Sequence, residues 1–275
     1  MIRFFIQPRG VSGSYPLEVP DGSEPDSSAN VLLNGLDDSA QEKPGGVIRL
    51  SAEDYAHIRA LRLRPSEQFI VCDGNGRDYV CCLAEKATTG AACAKIMESR
   101  PTCGEPDVAC TVFLAYAKGD RLEYAVQKSV ELGALNIVLF QSDRCIAVQG
   151  SSEKKIARMQ KIALEAAKQC GRGRIPDVTA MESFEAAVDH ASRADAPLFF
   201  YEREEKLSLK DALELHSALS TVSIMTGPEG GFEEHEADLA RGRGMLTVTL
   251  GPRVLRCETA PVAALAAIMY HTGNM

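Results

Sequence analysis

Two stretches near the end of the chain share one construction, and it restricts the fold more than any other feature. The apolar run Val222-Ser223-Ile224-Met225 leads into Thr226-Gly227-Pro228-Glu229-Gly230-Gly231. Leu246-Thr247-Val248-Thr249 leads into Leu250-Gly251-Pro252-Arg253-Val254-Leu255-Arg256-Cys257-Glu258-Thr259. Each reads as a buried strand, a Gly-Pro turn and then a helix. Glu233, Glu234 and Glu236 open the first helix, where carboxylates complement the helix dipole. Thr259 is placed to N-cap the second, with Pro261 in its first turn. A strand feeding a glycine-rich turn and a helix is where α/β proteins bind ligands. The first loop is not a phosphate loop, because it lacks a Gly-Lys-Ser/Thr ending and carries Glu229 where a phosphate requires a cation. Small glycines beside a carboxylate suit a neutral or cationic ligand packed on bare backbone. A tight turn that needs glycine for its dihedrals accounts equally for one such loop; two on successive strands favour a site.

The alternation extends upstream. Val108–Ala115 reads as a strand, and Asp120 and Glu123 open a helix that carries Leu122, Val126 and Val130 and stops at Gly133. Asn136–Gln141 is a strand. Ser151 or Ser152 caps a longer helix in which Ile156, Met159, Ala163, Ala166 and Cys170 share a face and Gly171 ends the run. A strand at Pro197–Tyr201, a helix at Leu207–Leu219, and strands at Thr221–Met225 and Leu246–Leu250 follow. Strands alternating with helices imply an α/β fold with a parallel sheet covered on both faces.

The first hundred residues have a different rhythm. Residues 2–6 read as a strand. Residues 10–46 are rich in Gly, Ser, Pro, Asp and Asn without apolar period and read as a long loop or insertion. Ser51 and Asp54 begin a short helix with Tyr55, Ile58 and Leu61 on one face. Phe69–Cys72 and Tyr79–Leu83 flank Gly74-Asn75-Gly76, a hairpin signature, and 91–97 adds a strand. Short strands with little helix point to a small β-barrel ending near Arg100-Pro101.

The net charge of −8 opposes nucleic-acid binding at first sight. Residues 18–46 hold seven acidic groups and one basic group, so that segment alone carries −6 and the remaining chain −2. A nearly neutral body can carry local basic patches. The nine cysteines are odd in number and contain no Cys-x-x-Cys pair, and the five histidines have no zinc-type spacing to them, so neither a disulfide framework nor a metal is expected. The longest apolar run, Ala260–Tyr270, is too short to span a bilayer. The opening Met1-Ile2-Arg3-Phe4-Phe5-Ile6 lacks the apolar core of a signal peptide. A cytoplasmic protein without membrane contact is expected.

Gly227-Pro228-Glu229-Gly230-Gly231 followed by Leu250-Gly251-Pro252-Arg253-Val254-Leu255-Arg256-x-Glu258-Thr259 resembles the small-subunit (16S) ribosomal RNA uridine-N3 methyltransferase family. That family belongs to the SPOUT superfamily of trefoil-knotted methyltransferases. Further matching anchors are Lys118-Gly119-Asp120-Arg121-Leu122-Glu123-Tyr124 with Gln127-Lys128-x-x-Glu131-Leu132-Gly133, Ser142-Asp143-Arg144, and Glu165-x-x-x-Gln169-Cys170-Gly171-Arg172. His57–Leu63 and Asp73–Gly76 resemble the family's PUA-like RNA-binding barrel. Cys257 departs slightly from the pattern.

The resemblance implies a PUA-like β-barrel over 1–100 and a knotted SPOUT domain over 104–275, S-adenosyl-L-methionine as methyl donor, ribosomal RNA of the small subunit as partner, and a homodimer. It places the donor against Tyr201, Glu202, Thr226, Gly227, Pro228, Gly230, Gly231, Leu250, Gly251, Val254, Leu255 and Thr259, with a Cβ at Gly230 or Gly251 intruding on the adenosine. Arg256 is the candidate cation beside the uracil carbonyls, and Glu258 either takes the N3 proton or holds that arginine; an Arg256–Glu258 structural pair is the plain alternative. RNA contacts are expected from Arg3, Arg59, Arg62, Lys118, Arg121, Arg144, Lys168 and Arg172. Rival readings are a knotted methyltransferase with another base or a ribose 2′-hydroxyl as acceptor, and a ribosome-assembly RNA-binding protein without turnover.

Overall fold

Continuous runs of buried apolar residues build most of the strands, and the computed structural model describes residues 2–5, 44–84, 92–146, 152–216 and 218–275. Most of the expected insertion, residues 10–43, and the Ser151 cap lie outside the described residues. The chain divides into two compact units between Cys103 and Gly104.

In the first unit, β1 (Arg3–Phe5), β2 (Val47–Arg49), α1 (Ala52–Ala60), β3 (Phe69–Cys72), β4 (Arg77–Leu83) and β5 (Cys93–Pro101) form one sheet in the order β1-β3-β4-β5-β2. Only the β1–β3 pair is parallel. The expected barrel is a curved sheet, with a register shift at Val80/Cys81 in β4; among the described residues no ladder joins edge strands β1 and β2. Phe4, Phe69, Val71, Tyr79, Cys81 and Ile96 make its core with Ile58 of α1. Ser51 caps α1 through the Asp54 N–H at 3.0 Å. Tyr55 and Leu61 do not join Ile58 in the core; they are 39% and 45% exposed, because a two-turn helix on a small sheet buries one ridge only.

Arg3 is buried, a correction to its expected RNA contact. Its guanidinium makes a bidentate pair with buried Asp78 at 2.6 and 2.7 Å, and the Thr102 hydroxyl donates to the same carboxylate at 2.8 Å. A guanidinium that spends its fork on a carboxylate in the core has nothing to offer a phosphate.

The second unit runs β6 (Ala109–Ala115), α2 (Arg121–Glu131), β7 (Asn136–Phe140), α3 (Ser152–Cys170), β8 (Asp177–Ala180), α4 (Phe184–Ala191), β9 (Ala196–Phe200), α5 (Leu209–Glu214), β10 (Thr221–Thr226), α6 (Glu234–Gly242), β11 (Leu246–Val248) and α7 (Thr259–His271). All six strands are parallel, in the order β11-β9-β10-β6-β7-β8. One sheet face packs on α4 and α6 through Phe113, Phe140, Phe199 and Met225. On the other, α2 packs on α3 and α7, and α7 lies against β6 and β10. The α3 face is carried by Met159, Ala163, Ala166 and Ala167, while Cys170 at its end is exposed. β8 and α4 were not expected, and the helix expected over Leu207–Leu219 is confined to Leu209–Glu214.

The register places the ends of three strands level. Thr226 of β10 sits opposite Leu114 of β6 and Phe200 of β9, and Val248 of β11 also sits opposite Phe200. Connections leave β6 towards β7 on one side and reach β9–β11 on the other, which makes the β6/β10 seam a topological switch point.

Removing one partner of a buried ion pair strands the other charge. Arg3→Ala and Asp78→Ala should each destabilise the first unit by about 3–5 kcal/mol. Chemical denaturation followed by a probe in the first unit checks this; unchanged midpoints in both variants would show that the pair is dispensable.

Candidate active site

Three loops leave the carboxyl ends of β9, β10 and β11 side by side and enclose an open cavity of about 900 Å³. Its walls include Tyr201, Glu202, Thr226, Gly227, Pro228, Glu229, Gly230, Gly231, Leu250, Gly251, Val254, Leu255, Arg256 and Glu258. The structure thus brings together every residue expected at the donor except Thr259. Thr259 is the first helical residue of α7 and its N-cap is Glu258, so it neither caps the helix nor reaches the cavity wall. Arg121, Glu204, Glu205, Thr249, Arg253 and Cys257 also line it and were not assigned there from the sequence. Arg121 carried a signal, since it sits inside a family-like motif, whereas Cys257 falls at the position where the chain departs from the pattern.

The β10 loop is fixed from below. Phe232, directly after Gly231, is fully buried with its ring centroid 4.3 Å from Phe199, 6.0 Å from Phe184 and 6.4 Å from Phe140. Gly231 has φ +69, and a Cβ there would strike the Glu202 carboxylate. The expected reason for glycine at 230 needs correction: a Cβ would meet the Arg144 side chain at 3.0 Å. At Gly251 a Cβ would meet nothing within 4 Å, and the constraint is instead φ +103. The helix that follows begins with the Glu233 N–H donating to Glu236 at 2.8 Å.

The charges are organised around carboxylates. Glu229 Oε1 accepts from the Lys118 N–H at 2.9 Å and from Arg121 Nη1 at 2.7 Å. Burial resists charge on Glu229, but the Lys118 N–H, its own backbone N–H and the Arg121 guanidinium outweigh it and hold the carboxyl below its usual pKa. Glu258 Oε2 lies 3.9 Å from Arg121 Nε and accepts from Cys257 Sγ at 3.2 Å. Burial and that hydrogen bond push the Cys257 thiol up to about 12, so it remains a protonated donor. Glu204 is held below its usual pKa by the Lys206 N–H and by the Thr247 hydroxyl, which donates at 2.7 Å.

Arg256 is exposed on the cavity wall. Its carbonyl accepts from the N–H groups of Thr259 and Ala260 at 2.8 and 2.9 Å. Among the described residues its guanidinium makes no ion pair, so the Arg256–Glu258 structural pair does not form and Arg121 stands beside Glu258 instead.

The residues expected to touch RNA divide. Arg172 is buried, paired with Glu105 at 2.7 Å and donating to the carbonyls of Val130 and Ala134, so it ties the chain together and is unavailable to a phosphate. Lys168 is half-buried beside Glu165. Lys118 is exposed. Arg144 donates to Glu233 Oε1 at 2.7 Å and to the Gly230 carbonyl at 2.8 Å. Arg59 and Arg62 are exposed, as is neighbouring Arg64, and among the described residues none of the three makes an ion pair. Arg62 has φ +55. Among the described residues, no group of three or more His, Cys, Asp or Glu is arranged to hold a metal ion, and no helix is long and apolar enough to cross a membrane.

Comparison with known proteins adds independent findings. Residues 104–269 match the model of an RNA methyltransferase domain, and residues 50–96 that of an RNA methyltransferase PUA domain. The ribosomal RNA small subunit methyltransferase E of Bacillus subtilis (strain 168) is 33% identical over 81% of this chain and 90% of its own length. Its counterpart from Synechocystis is 31% identical over 98% and 88%. Among solved structures, the ribosomal RNA small subunit methyltransferase E of Neisseria gonorrhoeae bound to S-adenosyl methionine superposes with TM-score 0.75, at 29% identity over 98% of both chains. A methyltransferase from Legionella pneumophila in complex with the cofactor SAM gives TM-score 0.75 at 26% identity, over 98% of this chain and 97% of that one.

The lowered pKa of Glu229 has a stability consequence of definite sign. A carboxylate with a depressed folded-state pKa contributes stability that is present above its unfolded value, about 4.3, and is lost as pH falls through the folded value. Glu229→Gln should therefore lower the thermal midpoint near neutral pH and approach the parent protein once the pH has fallen through the lowered folded-state value. Thermal scans of both proteins across that range check it; a difference independent of pH would remove the charge from the explanation.

Proposed function

The chain belongs to the RNA methyltransferase family, and on that premise we propose that it methylates N3 of a uridine in small-subunit ribosomal RNA. It is an S-adenosylmethionine-dependent enzyme with a PUA domain before the catalytic domain. The observation that carries the finer reading is the cavity where the β9, β10 and β11 loops converge, with Arg256, which makes no ion pair among the described residues, on its wall. The resemblance also implies that the domain over 104–275 carries a trefoil knot.

The residues present fit the methyl donor. Gly227, Gly230, Gly231 and Gly251 leave backbone bare for an adenosine, together with Tyr201, Glu202, Thr226, Pro228, Leu250, Val254 and Leu255. Carboxylates suit a cationic sulfonium, and the cation nearest the floor, Arg121, is already engaged by Glu229. When bound, that donor supplies an electrophilic methyl group on sulfur. In-line transfer needs the acceptor nitrogen held close and aligned, so positioning supplies much of the rate.

Uridine N3 carries a proton that must leave as the N–C bond forms. Glu258 accepts it, or passes it on, from a carboxylate held by Cys257 and Arg121. Arg256 donates to a uracil carbonyl and stabilises the anion that develops across N3. Arg59, Arg62 and Arg64 of the first unit contact phosphates; a non-glycine residue in the left-handed region, as at Arg62, is a strain that functional sites tolerate. A cytoplasmic location goes with the proposed activity on ribosomal subunits. A homodimer is the expected assembly, and Tyr270 on α7 and Tyr124 on α2, 79% and 48% exposed, supply apolar surface for it.

Incubating the purified protein with S-adenosylmethionine and small subunits lacking the modification should yield N3-methyluridine on nucleoside analysis. A 2′-O-methyl nucleoside or another methylated base would identify a different acceptor, and donor binding without transfer would favour the assembly-protein reading. Arg256→Ala should lose roughly 100-fold or more in kcat, as for one preorganised donor, with donor affinity little changed. Arg256→Lys should fall between, because lysine keeps the charge without the planar fork. Normal kcat at saturation in Arg256→Ala would move the catalytic role elsewhere.

A further inference from the structure

Arg121 and Arg144 lie in motifs that suggest RNA contact, yet both direct their hydrogen bonds at the cavity loops. We propose that these two arginines are positioning residues that cross-brace the three loops of the donor pocket; the inference rests on the methyltransferase reading.

Arg121 opens α2, one turn beyond the end of β6. Its Nη1 reaches Glu229 Oε1 at 2.7 Å, and the Lys118 N–H of the same turn reaches that oxygen at 2.9 Å. Its Nε lies 3.9 Å from Glu258 Oε2. One guanidinium therefore spans the β10 loop, through Glu229, and the β11 loop, through Glu258, although β9 separates those strands in the sheet. Arg144 follows β7. Its Nε donates to Glu233 Oε1 at 2.7 Å and its Nη1 to the Gly230 carbonyl at 2.8 Å, while Nη1 lies 3.9 Å from Glu202 Oε1. It joins the β10 loop to the β9 loop.

Between them the two side chains connect all three loops, and each approaches from the half of the sheet that contributes no loop to the cavity. Gly230 belongs to the same device, because a Cβ there would meet the Arg144 side chain at 3.0 Å. The side chains are 40% and 29% exposed, and a planar fork engaged by two acceptors is held in one orientation. An arginine neutralised in this way has little charge left for a phosphate. Arg256, which makes no ion pair among the described residues, is the contrasting case.

The test uses full-length Arg121→Ala, Arg121→Lys, Arg144→Ala and Arg144→Lys. S-adenosylmethionine affinity is read by calorimetry, methyl-transfer kinetics are compared, and affinity for small-subunit ribosomal RNA is measured over a range of salt. Loss of a charge-assisted hydrogen bond should weaken donor binding by about 10- to 100-fold in each alanine variant. The donor KM should rise in both alanine variants; kcat at saturation should be largely kept in Arg144→Ala but fall in Arg121→Ala, which also releases Glu258, and RNA affinity and its salt slope should be unchanged in both. Lysine should restore part of the loss, since it keeps the charge and cannot span two acceptors. Unchanged donor affinity, with weaker RNA binding and a salt slope reduced by about one per arginine, would return both residues to the RNA surface and overturn the brace. Should an alanine variant fail to fold, the lysine variants and Glu233→Gln decide in its place, and parental donor affinity in all of them overturns the proposal. Failure of the methyltransferase reading would look different: the parent protein itself would bind no S-adenosylmethionine.

Discussion

β10 is hydrogen-bonded in parallel to β6 on one side and to β9 on the other, and that register fixes where loops can meet. Thr226, Leu114 and Phe200 lie level, with Val248 level with Phe200, so the turns after β9, β10 and β11 open on one edge of the sheet. β10 is buried on both faces, so shifting it by a single residue would turn each of its packed side chains to the opposite layer and move Gly227–Gly231 out of line. Phe232 makes such a shift costly. It enters a cluster with Phe140, Phe184 and Phe199 immediately after the glycines, and emptying a site of that kind costs about 3–5 kcal/mol. The loop is therefore held by strand register before it and by an aromatic anchor after it. Only the few residues between are left free to face a ligand.

Most of the second unit was legible because its strands are long, apolar and separated by well-marked helices. The two Gly-Pro loops, the Gly133 and Gly171 helix ends and the hairpin around Gly74-Asn75-Gly76 are all signalled by local chemistry. β8 and α4 escaped for an equally local reason. Asp177–Ala180 buries only Val178 fully, so it lacks the apolar run of an interior strand; it is an edge strand paired to β7 alone. α4 is eight residues long, and its buried face includes Ala187 and Ala191, which carry little periodic signal.

Arginine roles were the least legible feature, because they depend on partners far away in sequence. Arg3 meets Asp78, separated by 75 residues, and Arg172 meets Glu105, separated by 67. Sequence motifs mark such positions without saying whether the guanidinium faces a carboxylate or the solvent. Thr259 illustrates the same limit at shorter range: its identity suits an N-cap, but the helix starts one residue earlier and Glu258 takes the cap position with helical dihedrals.

Sorting the arginines by their partners explains how a chain of net charge −8 can serve a polyanion. Glu229 and Glu258 stand within the cavity with side chains 20% and 19% exposed, and Arg121 between them is engaged by both. Arg253 and Arg256 lie on the same walls, exposed, and without an ion pair among the described residues. The exposed wall also carries Glu202 and Glu205, so the two arginines are local cations on a mixed surface, while the sheltered carboxylates suit a cationic methyl donor. Field strength depends on which charges remain uncompensated, and the paired arginines contribute little to it. The overall acidity of the chain does not conflict with an RNA substrate, because local cations such as Arg253 and Arg256, and not the net charge, set the field that a phosphate meets.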